Sequence, residues 1–146
     1  MTTAEHLDTI DRLREKEFPP EPVRTGGSSS GPGFHLVQLA RTRDFWDDDG
    51  AAGRIEEADQ IGAEYGALAQ AATDRWGEPQ IFGLGTLRDR GFAGEEIPQP
   101  WDELGSSTDH VHLWQAGAHW IVLYVAQWAC DGAYQLMAGV TVTDPP

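Results

Sequence analysis

Cysteine is almost missing from this chain: Cys130 stands alone, so an internal disulfide and a cysteine-built zinc cluster are both excluded. Lysine is equally scarce, with Lys16 the single example. Lys and Arg together number 10 against 24 Asp and Glu, for a formal net charge of −14. So little positive charge argues against binding a phosphate backbone or an anionic membrane surface, both of which recruit Lys and Arg. No apolar run approaches the roughly 18 residues that would span a bilayer. The first residues, MTTAEHLDTI, have neither the basic start nor the apolar stretch of a secretory signal, and the expectation is a cytoplasmic chain.

What remains is an ordinary globular composition. The 146 residues are 40% hydrophobic and 23% charged, enough for one domain with a core of its own. Residues 1–33 read as an N-terminal extension. Thr3 to Phe18 carries a thin apolar stripe at helical spacing (Leu7, Ile10, Leu13, Phe18), stopped by Pro19-Pro20. Glu21 to Gly33, with Ser28-Ser29-Ser30, has the composition of a linker. Residues 34–146 then form a single α+β domain. Phe34 to Trp46 fits a strand or the start of a helix, and Asp47-Asp48-Asp49-Gly50 reads as a solvated acidic turn, without the ligand spacing of a calcium loop.

The clearest helix is Ile55 to Trp76. Ile55, Ala58, Ile61, Tyr65, Leu68, Ala72 and Trp76 recur every three or four residues, Gly77 suits a C-cap, and Pro79 blocks continuation. Gly62, Ala63, Gly66 and Ala67 suggest close approach to a packed neighbour. Gln80 to Leu87 reads as a short strand and Arg88 to Ser107 as mostly loop.

The C-terminal part reads as a three-stranded meander: His110 to Trp114, His119 to Trp128 and Ala133 to Thr143. Asp131-Gly132 predicts a two-residue hairpin pairing Cys130 with Ala133, and Gln115-Ala116-Gly117 a three-residue loop placing His112 opposite Trp120. That register predicts one aliphatic face (Val111, Leu113, Ile121, Leu123, Val125, Leu136, Ala138, Val140, Val142), the seat for the long helix. The opposite face is aromatic and polar: His110, His112, Trp114, Trp120, Val122, Tyr124, Trp128, Gln135, Met137 and Thr141. Aromatics with polar handles suit surfaces that are partly apolar and partly wet. Phe34–Trp46 or the Trp101 loop would be the parts of the chain able to cover it.

Signals for chemistry are weak. His110-x-His112 has the spacing of a metal pair, but the expected register sends His119 to the other face, and no metal is expected. Cys130 has no histidine beside it. Ser106, Ser107 and Asp109 next to His110 lack a nucleophile elbow. Gly83-Leu84-Gly85 lacks the rest of a nucleotide-binding motif. Glu95-Glu96 and Asp102-Glu103 read as solvated charge.

The expected fold is therefore α+β: one main amphipathic helix on an antiparallel sheet of about four strands, a C-terminal meander and an N-terminal helical extension. The expected function is a non-enzymatic acidic module that binds a basic protein partner, with no cofactor, no catalytic residue, no nucleic acid and no membrane. Its general profile is similar to that of small acidic immunity proteins and secretion chaperones, a likeness of character that no motif carries. The expected partner surface is His110, His112, Trp114, Trp120, Tyr124, Trp128 and Met137. The alternatives are a small-ligand binder or hydrolase on that same face, and a structural subunit that assembles through strand edges.

Overall fold

The computed structural model describes residues 2–42, 51–127 and 133–146, and for residues 51–54 only the backbone. The acidic turn at 47–50, Trp128, Cys130 and the Asp131-Gly132 turn lie outside the described residues. Helix α1 spans Thr3–Glu15 and opens on a capping box, in which Thr2 Oγ1 accepts from the Glu5 N–H and Glu5 accepts from the Thr2 N–H. Strands β1 (Val23–Thr25), β2 (Ser28–Gly31) and β3 (Phe34–Arg41) follow. The long helix α2 is Ala51–Trp76, and then come β4 (Gln80–Gly83), α3 (Gly85–Phe92) and α4 (Trp101–Ser107). Strands β5 (His110–Ala116), β6 (His119–Ala126) and β7 (Gln135–Thr141) complete the chain.

All seven strands join one antiparallel sheet in the order β1-β2-β3-β7-β6-β5-β4. The α+β class and the β5-β6-β7 meander match the sequence reading, but the described residues form a sheet of seven strands and not about four. The Gly/Ser segment expected as linker supplies two of the extra strands. Two of its glycines make the turns: Gly26 and Gly33 take positive φ (58° and 85°) in two-residue connections, the second a Pro32-Gly33 turn. Arg88–Ser107, expected as loop, contains all of α4 and most of α3.

The hairpin between β5 and β6 corrects the expected faces. Ala116 pairs with His119 across a two-residue Gly117–Ala118 turn, with Gly117 at φ 64°. A turn of the II′ kind needs positive φ only at its first central residue, and glycine occupies that position. Replacing the expected three-residue loop by two residues flips every β5 side chain relative to β6. Hence His110, His112 and Trp114 lie on the face of Ile121 and Leu123, while Val111 and Leu113 join Val122 and Tyr124. On the other side β6 and β7 pair Ala126 with Gln135, two residues from the expected register. An even shift leaves the faces intact, so Trp120, Tyr124, Met137 and Thr141 do share a side.

Two cores result, one on each face. On the first, α1 and α2 bring Ile10, Ile61, Leu68 and Ala72 against Trp114, Ile121, Leu123, Leu136, Ala138 and Val140. Arg75 of α2 bonds Asp11 of α1 at 2.7 Å. Open space lies beyond Gly62 and Gly66, so the small residues of α2 do not mark a close contact there, and Ile55 is exposed. On the second face, Leu84, Leu87, Ile97, Trp101 and Leu104 cover Val111, Leu113, Val122, Tyr124 and Met137. Among the described residues, no helix is long and apolar enough to cross a membrane.

Candidate functional site

Of the residues expected to form one aromatic surface, the described ones are divided between the two faces of the sheet. Trp114 is buried under α2, where its indole N–H donates to the Gly77 carbonyl at 2.9 Å. His112 is half-buried beside it, its ring stacked on Trp114 at 5.9 Å and its Nδ1 hydrogen-bonded to the Tyr65 hydroxyl. Burial pushes the Tyr65 phenol up, and burial together with the neighbouring His110 lowers His112. His110 is exposed, with its ring 6.4 Å from that of His112. His119 shares this face after all, its ring 6.2 Å from Phe18. Even so, among the described residues no three His, Cys, Asp or Glu side chains gather as a metal site.

On the other face Tyr124 and Met137 are buried. The Trp101 segment covers that face, one of the two coverings the sequence suggested. Trp101 is fully buried, packs edge-on against Phe82 at 5.6 Å, and donates its indole N–H to the Thr143 carbonyl. Trp120 is only partly covered and reaches Asp144 at 2.9 Å. A cleft of about 450 Å³ remains where the β1–β2 hairpin leaves this face, lined by Arg24, Glu103, Tyr124, Gln135 and Met137. Arg24 and Ser29 both bond Glu103 there. Burial and the Glu103 charge raise the Tyr124 phenol far above its usual range, which keeps it a neutral hydroxyl.

A larger groove, of about 610 Å³, runs between α3 and α4. Leu87, Ile97 and Trp101 supply its apolar lining, and Glu95, Glu96 and Asp102 its carboxylates. Phe92 also lines it and is 89% exposed, the most exposed large apolar side chain among the described residues. Glu95 is tied to Arg90 and Asp109 to Arg88. Glu96 and Asp102 have no cationic partner among the described residues. The sequence offered Glu95-Glu96 and Asp102-Glu103 only as loop charge. A groove made by two short helices that meet in space has no signature in local periodicity.

A third cavity, of about 420 Å³, lies on the α1 face between the strap that follows α1 and the β1–β2 hairpin. Lys16, Phe18, Pro19, Val23, Ser30 and His35 are among its lining residues. Ser30 and His35 are cross-strand partners on β2 and β3, and the Ser30 hydroxyl lies 2.7 Å from His35 Nδ1. The one cue in the sequence was Pro32-Gly33, which folds the serine run back onto Phe34-His35. Reading that run as linker hid the pair. Comparison with protein-family models, with curated proteins and with solved structures finds no match to the chain.

Proposed function

We propose that the chain is an acidic protein-binding module that docks a basic segment of a partner protein in the groove between α3 and α4. The observation that carries this reading is Phe92, 89% exposed at the rim of an apolar groove that also holds the carboxylates of Glu96 and Asp102. A lone exposed phenylalanine means little, but one continuous with an apolar groove is a docking feature. Arg and Lys side chains suit such a surface, because an aliphatic stem can lie on the exposed Phe92 ring while the cationic head meets a carboxylate. The net charge of −14 favours the same partner at long range, by steering and by repelling acidic competitors. This moves the docking surface away from His110, His112, Trp114, Trp120, Tyr124 and Met137, most of which the fold uses internally, and Trp128 lies outside the described residues.

The test is titration with a synthetic peptide of alternating Arg and Leu, against a control in which Glu replaces Arg. Wild type should bind the basic peptide, lose affinity as salt rises, and ignore the control. Phe92→Ala and the pair Glu96→Gln, Asp102→Asn should each weaken binding by about tenfold or more without moving the thermal midpoint. Equal binding by the acidic control, or full affinity in both variants, would refute the docking site.

A further inference from the structure

The contacts of His35 define its protonation pattern. Its Nε2 lies 3.3 Å from the Lys16 backbone carbonyl, which can only accept a hydrogen bond. Nε2 therefore carries the ring proton, and Nδ1 presents a bare lone pair to which the Ser30 hydroxyl donates at 2.7 Å. The imidazole is 1% exposed and packs against the Phe18 ring, 4.9 Å between centroids. Burial lowers its pKa, so the ring is neutral near pH 7 and able to take a proton. Ser30 is only half-buried, and both side chains line the cavity of about 420 Å³. A histidine that merely satisfied its own nitrogens would not need its hydroxyl partner to face a cavity walled by Phe18, Pro19 and Val23.

We propose that Ser30 and His35 are a nucleophile and general base that cleave small esters with an apolar acyl group bound in this cavity. Ser30 Oγ attacks the ester carbonyl carbon while its proton passes to His35 Nδ1. The tetrahedral adduct collapses, the bond to the alcohol oxygen breaks, and that oxygen leaves with the proton from Nδ1. Water then attacks the acyl group on Ser30, again giving its proton to Nδ1, and the carboxylic acid departs as Ser30 recovers its hydrogen. The Lys16 carbonyl holds the imidazole orientation throughout. Lys16 also lines the cavity, and its charge acts on His35. The site lies on the opposite face of the sheet from the α3–α4 groove, and the proposal does not rest on the docking reading.

The intact chain is treated with a fluorophosphonate probe, the adduct is mapped by mass spectrometry, and p-nitrophenyl butyrate hydrolysis is followed in parallel. The expected result is one adduct, on Ser30, with hydrolysis abolished in Ser30→Ala and reduced about 100-fold in His35→Gln. Should His35→Gln unfold, as circular dichroism would report, the wild-type pH profile takes its place. Labelling should then fall on acidification through a pKa below about 6.5 and stay level above it. A folded chain with no label on Ser30, a label elsewhere, or a rate insensitive to pH overturns the assignment.

Discussion

Trp114 donates its indole N–H to the carbonyl of Gly77, 2.9 Å away, and so ties β5 to the C-terminal end of α2. Gly77, at φ 93°, closes the helix with its own N–H on the Thr73 carbonyl. The sequence reading placed Trp114 on a partner-binding surface, whereas its ring is buried and its N–H is used inside the fold. Trp114→Phe keeps most of the buried ring but leaves the Gly77 carbonyl without its donor. A loss of about 1–2 kcal/mol is expected, against about 3–5 kcal/mol for Trp114→Ala, read from urea unfolding midpoints. Equal losses for the two would mean that the ring and not the hydrogen bond holds the helix end.

Gly139 sits opposite Leu36 at the junction of β3 and β7, and a methyl there would come within 2.6 Å of Leu36 Cδ2. Leu36 is 1% exposed and has little room to retreat. Gly139→Ala should therefore destabilise by about 1–3 kcal/mol through overpacking. The pair Gly139→Ala, Leu36→Ala should lose less than the sum of its parts. Additive losses would show that the two sites do not touch in the way described.

The N-terminal helix belongs to the core. Ile10 is 1% exposed among residues of α2 and the sheet, and Asp11 bonds Arg75. Ile10→Ala should lower stability by about 2–5 kcal/mol, with one unfolding transition by fluorescence and by circular dichroism. A separate early transition for α1 would restore the picture of a detached arm.

Three histidines, His6, His35 and His112, are held below their ordinary pKa, each first by burial. Lys16 adds to the effect at His35 and His110 at His112, while Glu64 and Glu5 oppose it at His6. His6 Nδ1 is buried without a hydrogen-bond partner among the described residues. A lowered folded-state pKa means that the unfolded chain binds the proton first. This contribution to stability is complete above about pH 6.5 and is lost as pH falls below it, toward the folded-state values. Urea midpoints should drop between about pH 7.5 and pH 5, and His35→Gln should flatten the slope. A midpoint that rises over this interval contradicts the burial argument.

Legibility followed the range of the signal. Helix α2 was plain because its period repeats over six turns, and its end at Gly77 was written in a Gly followed closely by a Pro. The meander strands were plain for the same local reason. Their relative facing depended on a single residue in one turn, where Gly117–Ala118 stands instead of Gln115–Gly117, and that one difference inverted β5. Strands β1 and β2 were hidden because serine and glycine have poor strand propensity, and pairing with β3 overrides it. Helix α4 spans only Trp101–Ser107, too short for periodicity to declare itself. The Ser30–His35 pair and the α3–α4 groove depend on those same elements and were lost with them.

The order of strands in the sheet also has a consequence for synthesis. Strand β7 lies between β3 and β6, so it joins the group β1-β2-β3 to the group β6-β5-β4. A chain emerging from its N-terminal end would hold two incomplete sheets, with β3 and β6 each offering a bare edge, until residues 135–141 leave the ribosome. Closing that gap brings together residues about a hundred positions apart, a slow step for any chain. Nascent chains halted before residue 135 should therefore be the ones that chaperones hold, or that pair with each other through those edges.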